Sequence, residues 1–169
     1  MIERLCTAIE TVSLGVWAGA MAGFAFIFAP AAFRGAARMD AFAALVAACI
    51  RGIGSLGLVC GALAIGAALV RSRAISARRF AALRVALVVL ALGASRYETE
   101  VIIPAMTATA AQIGGPVDSV PKSDPRRAAY DAQHRDSSRV YGAAFLCVLA
   151  ASALAAFGRT FEPNHRPRT

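Results

Sequence analysis

Charged and hydroxyl-bearing side chains gather around two places in this chain, and their types decide what chemistry is open to it. Arg96-Tyr97-Glu98-Thr99-Glu100 is followed at once by the apolar Val101-Ile102-Ile103, and Asp131, His134 and Asp136 recur some thirty positions later. With Arg51 they form a set of carboxylates, guanidinium groups and one imidazole. Arg96 and Glu100 are spaced i,i+4 and can pair on one helical face. Two readings of the set stand side by side. One is a lattice of ion pairs that ties helices together. The other is an extracytoplasmic site in which Glu98 or Glu100, with His134, binds a cation or passes protons, since imidazole changes charge near neutral pH.

These groups sit at the edges of long greasy segments. Apolar stretches run over about residues 11–33, 41–70, 80–103 and 140–157, and the hydrophobic fraction is 58% of 169 residues. About 20 helical residues cross ~30 Å of hydrocarbon, and Val85-Ala86-Leu87-Val88-Val89-Leu90-Ala91-Leu92 is greasy on every side. A soluble bundle needs a polar face on each helix. In lipid the backbone must be satisfied internally, which selects helices. The expected fold is all-α: an integral membrane four-helix bundle with a polar extramembrane helical extension before the fourth helix. Spans are placed at about 11–33, 50–70, 80–103 and 140–158. The stretch 41–70 is too long for one perpendicular span, so it tilts or its first turns, 41–49, lie in the interface, and Pro30 ends or kinks the first helix because it lacks a backbone donor. A long extracytoplasmic loop with a polar helix fills 104–139.

Gly15, Gly19 and Gly23 stand at four-residue intervals on the first helix, and Gly57 and Gly61 repeat the spacing on the second. Small residues in such stripes let another backbone come close. Packing of the first helix on the second is the simplest use, and homodimerisation the other. Arg84 snorkels to the headgroups, Glu10 does the same or pairs with a nearby Arg, and Trp17 is too deep for an interfacial belt.

The net charge of +8 does not signal nucleic acid, because no basic stripe with interleaved aromatics occurs. The bases lie at helix ends, and the segment from Arg71 to Arg79 carries four Arg and no acid. Short basic loops weigh most in topology, which places both termini inside, in the cytoplasmic membrane of a bacterium. Cys6, Cys49, Cys60 and Cys147 lack a Cys-x-x-Cys spacing and read as small hydrophobes. No metal site, cofactor or catalytic motif is expected.

Three elements carry a family resemblance: Phe24-Ala25-Phe26-Ile27-Phe28 running into Ala29-Pro30-Ala31-Ala32-Phe33, the Ile103-Pro104 step, and His134-Arg135-Asp136-Ser137. The chain resembles the transmembrane-protein-205-like family (domain of unknown function 4149). The resemblance implies a four-span bundle, adds Ser137 to the candidate polar site, and marks Pro30, Phe33 and Pro104 as motif positions. Where that pattern has a polar residue one turn after the His-x-x-Ser element, this chain has Tyr141. The resemblance implies no reaction.

The expected role is non-enzymatic: a structural or accessory membrane protein acting through helix packing. Its partners are the lipid bilayer and a homo-oligomer or larger membrane complex. The alternative is a small transporter or channel component with a cation or proton site at the extracytoplasmic mouth.

Overall fold

A computed structural model describes residues 1–35, 39–71 and 75–157, with the side chains of 39–41 and 75–79 left aside. Arg38, Arg73, the side chains of Asp40, Arg78 and Arg79, and the tail with His165 therefore lie outside what is described.

The protein is an all-α, four-helix bundle. The first helix is continuous over Ile2–Gly35, the second covers Met39–Arg71, the third joins Ile75–Tyr97, Glu98–Ile102 and Ile103–Ile113, and the fourth runs Pro125–Phe157. Each packs on two others in a ring, first on second, second on third, third on fourth and fourth on first. The helices alternate in direction.

All four are long and apolar enough to cross a membrane, and only 22% to 39% of each apolar window is buried within the bundle. The outer surface carries Val12, Val16, Leu58, Leu63, Val89, Leu90, Leu146 and Leu149. So much exposed apolar area needs an apolar solvent, and the protein is a multi-pass membrane protein.

The core explains how the helices come close. Ala64, Ala91, Ala144, Ala151 and Ala155 turn inward, and Trp17, Leu14 and Met21 of the first helix fill the space between them. Trp17 is packing, as its depth implied. Gly57 faces its indole, where a Cβ would stand 2.6 Å from Cε2, and Gly61 faces Leu92. The second helix thus uses its small residues inside the bundle.

The first helix does not. Gly15 and Gly19 are exposed, and nothing lies within 4 Å of a Cβ built at Gly15, Gly19 or Gly23. The first and second helices pack together, but through Trp17 against Gly57 rather than through that stripe. The bulk of Trp17, Leu14 and Met21 sets the inner face and turns the glycines outward.

The two prolines share one local geometry. Pro30 and Pro104 neither end nor break their helices, because each is preceded by a π-helical segment, Gly23–Phe28 and Glu98–Ile102. Ala29 N–H bonds to Phe24 O and Ile103 N–H to Glu98 O, five residues back. The wider turn makes room for a ring that would strike the preceding turn of an α-helix. The third helix accordingly continues to Ile113, and Gly114 closes it in the left-handed region at φ 72°, where glycine carries no Cβ penalty. The second helix is a single piece from Met39 to Arg71.

Candidate functional site

At the end of the bundle that carries the 114–124 connection, the π-helical turn of the third helix directs Glu98 inward. Glu98 is 2% exposed and Ser137 of the fourth helix 8%, and Ser137 Oγ donates to Glu98 Oε1 at 2.7 Å. One turn along the fourth helix, Tyr141 Oη donates to Met21 O at 2.9 Å, just before the π-helical segment of the first helix. Thr99, also buried, donates to Ser95 O at 3.0 Å, and its Cγ2 lies 3.5 Å from where a Cβ on Gly54 would be. Glu98 forms no ion pair among the described residues. A buried carboxyl in a span with one hydroxyl donor and no basic partner is the type of group that binds a proton or a hard cation.

The other sequence candidates do not join it. Arg96 pairs with Glu100 at 3.0 Å as its spacing implied, but both side chains are more than half exposed. Arg51 and His134 are exposed. Asp136 pairs loosely with Arg139 at 3.3 Å on the surface. Asp131 belongs to a separate knot, in which Arg127 binds Asp131 at 3.1 Å and Asp118 at 2.9 Å and donates to Val117 O at 2.6 Å. That knot folds the connection 114–124 onto the fourth helix. Convergence of Arg51, Arg96, Glu98, Glu100 and His134 on one mouth is thus corrected: Glu98 and Ser137 meet, and the others face outward. The cause is helical phase, since Glu98 and Glu100 are two residues apart and point to opposite sides.

A second polar centre lies at the opposite end. Glu10 is 1% exposed and accepts from Arg84 Nε at 2.7 Å and from Arg71 Nη1 at 2.8 Å. The carboxylate links the first, second and third helices. Arg84 does not snorkel: at 5% exposure it is held inward by that charge-assisted bond. Glu10 pairs with Arg as one of its two expected roles had it. The missed signal is that Glu10, two turns into the first helix, and Arg84, one turn into the third span, lie at the same depth. Between the two centres, Trp17, Leu14 and Met21 are packed in the core and fill the bundle axis, and Trp17 Nε1 is buried without a hydrogen-bond partner.

No group of three or more His, Cys, Asp or Glu residues able to hold a metal exists among the described residues. The four cysteines are free.

Among known proteins, neither a curated protein nor a solved structure matches this chain significantly. One family model does, described as Domain of unknown function (DUF4149), over residues 12–114. The match takes in Pro30, Phe33, Pro104 and the open glycine stripe, and leaves the fourth helix with His134 and Ser137 outside it. Because it spans more than half of the chain, the protein belongs to the DUF4149 family.

Proposed function

We propose that the protein is a non-enzymatic accessory protein of the membrane, acting by helix packing with a second copy or within a larger membrane complex. The observation that carries this reading is the open first-helix stripe. Gly15 and Gly19 are exposed with no neighbouring atom near their Cβ positions, whereas Gly57 and Gly61 of the second helix face Trp17 and Leu92. A partner backbone can approach such a stripe closely, and in lipid close packing drives association. The test is energy transfer between labelled copies in bilayers, comparing wild type with Gly19→Ile. Association weakens in the variant while unfolding of the monomer is unchanged, because the position is open. A wild-type protein that stays monomeric and captures no membrane partner, or a variant that associates equally well, ends the reading.

Placement of both termini in the cytoplasm rests on the acid-free run from Arg71 to Arg79. The Glu10–Arg71–Arg84 cluster supports it by holding the start of the first helix at the same end. Labelling of single cysteines at residues 2 and 115 from outside intact cells tests it. Membership of the transmembrane-protein-205-like branch is supported by the Pro30 and Pro104 elements. Alignment of residues 134–137 across relatives tests that branch.

A second reading, a cation or proton site at the extracytoplasmic mouth, is favoured by Glu98 alone. It moves the weight from Glu100 and His134, which are exposed, to Glu98 and Ser137. With Trp17 filling the axis, a path to the other side would form between copies. In liposomes this reading requires flux that Glu98→Gln abolishes without unfolding the protein. No flux above empty liposomes removes it.

A further inference from the structure

At the end of the bundle opposite Glu98, the buried charges do not cancel. The single Glu10 carboxylate accepts from two guanidinium groups, Arg84 at 2.7 Å and Arg71 at 2.8 Å. The cluster is therefore positive by one charge, although the side chains of Glu10, Arg84 and Arg71 are only 2%, 6% and 16% exposed. Charge held out of water is costly unless it is paired. Among the described residues at this end, the other acid is Glu3. It lies seven positions from Glu10, about 10 Å along the helix axis, and it is exposed beside Arg4. The run from Arg71 to Arg79 contributes no acid.

The three side chains differ in reach. Arg84 is enclosed, and its pair with Glu10 is neutral by itself. Arg71 stands at the last turn of the second helix and has the most surface of the three, so the unmatched charge comes out there. A guanidinium carries five N–H donors in a planar fork, and Glu10 engages Arg71 through Nη1. Val70 and Leu83, each next in sequence to one of the two arginines, are exposed and apolar. An anion that reaches Arg71 thus finds hydrocarbon-facing surface close by.

We propose that Arg71 binds a phosphate group of net negative charge, carried by an anionic phospholipid. The guanidinium fork suits phosphate oxygens, and one negative charge neutralises the cluster. Phosphatidylcholine presents the same phosphate, but its own cation cancels the charge.

The experiment uses the full chain in phosphatidylcholine nanodiscs with a minor fraction of phosphatidylglycerol. Physiological salt screens exposed charges beyond about 8 Å. Lipid retained by the protein is read by native mass spectrometry. Phosphatidylglycerol is retained over phosphatidylcholine by about tenfold, the scale of one charge-assisted hydrogen bond. Arg71→Gln, which leaves the neutral Glu10–Arg84 pair, removes that preference. Arg71→Lys keeps most of it, and Arg4→Gln, a change at an exposed base of the same end, leaves it intact. In a second arm, inorganic phosphate is added to discs of pure phosphatidylcholine. A rise in unfolding temperature that Arg71→Gln abolishes, without retention of the glycerol lipid, keeps the phosphate site but makes its source soluble and overturns the lipid. The site itself is overturned by a wild-type protein that responds to neither anion. It is equally overturned by a lipid preference that survives Arg71→Gln, or by one that Arg4→Gln removes as fully, since general surface charge would then explain it.

Discussion

Glu10 and Arg84 are separated by 74 positions of sequence and meet at 2.7 Å, both almost wholly buried at one end of the bundle. Arg71 closes on the second oxygen of the same carboxylate. Removing one partner of a buried pair leaves an uncompensated charge, at a cost of about 3–5 kcal/mol, while replacing the pair by apolar groups is often neutral. Glu10→Leu is therefore expected to lower unfolding stability by that amount. Glu10→Leu with Arg84→Leu recovers much of the loss, with Arg71 free to turn toward the headgroups. A double-mutant cycle in one detergent measures it, and strictly additive losses would show that the pair does not couple.

Among the described glycines, Gly57 stands closest to a neighbouring helix, against Trp17. A methyl on Gly57 would come within 2.6–2.7 Å of three indole atoms, and an aromatic ring in a filled core has little room to retreat. Gly57→Ala is expected to cost about 1–3 kcal/mol, the usual range for overpacking, and Trp17→Phe in the same chain relieves part of it. Gly15→Ala, by contrast, meets nothing, and removing a helical glycine gains about 0.5–1 kcal/mol. Thermal unfolding of the three variants checks the ordering. If Gly57→Ala and Gly15→Ala behave alike, the contact is not what sets helix spacing.

How much of this was legible beforehand depends on the residue. The number of helices and their membrane character follow from uninterrupted apolar length, which no alternative packing can hide. The third helix runs past Pro104 to Ile113 because a π-helical turn absorbs a ring that would break an α-helix, and sequence carries no clear mark of such a turn. The inward turn of Glu98 and the outward turn of Gly19 depend on rotational phase. Where every face of a helix is apolar, hydropathy carries almost no phase signal, and the choice falls to bulky residues such as Trp17 seeking small partners on other helices. The Glu98–Ser137 bond was half visible, as two candidates in one region without the geometry that separates them from Glu100 and His134.

Asp124 caps the fourth helix before Pro125. Its carboxylate accepts from the Arg126 side chain at 2.7 Å and 3.1 Å and from Arg126 N–H at 2.8 Å. These bonds, the guanidinium first and the amide second, lower its pKa to about 2. A carboxyl held below its unfolded value of about 3.9 stabilises the fold fully above that value, and the contribution fades as pH falls through about 2. Asp124→Ala should therefore speed amide exchange at Arg126 to Ala128 at neutral pH. The difference from wild type should narrow between about pH 4 and 2. A gap of constant size across that window would mean that the charge plays no part in the cap.

Ser137 supplies the hydroxyl donor that Glu98 receives, at 2.7 Å between two buried groups. Taking away one side of a buried hydrogen bond costs more than removing both sides, because the remaining polar group keeps its desolvation penalty. Ser137→Ala is thus expected to destabilise the bundle by about 1–3 kcal/mol. Adding Glu98→Leu to Ser137→Ala should return most of that stability, since the pocket between the third and fourth helices then holds only apolar groups. Glu98→Gln, which keeps an acceptor for Ser137, should cost less than Ser137→Ala. Unfolding of the full set in the same lipid separates two roles for the acid. If the doubly substituted protein is as stable as wild type, Glu98 is not retained for folding, and what retains it is the chemistry of a carboxyl inside a membrane. If the double variant is less stable than either single one, the bond is structural and the outer-site reading loses its support.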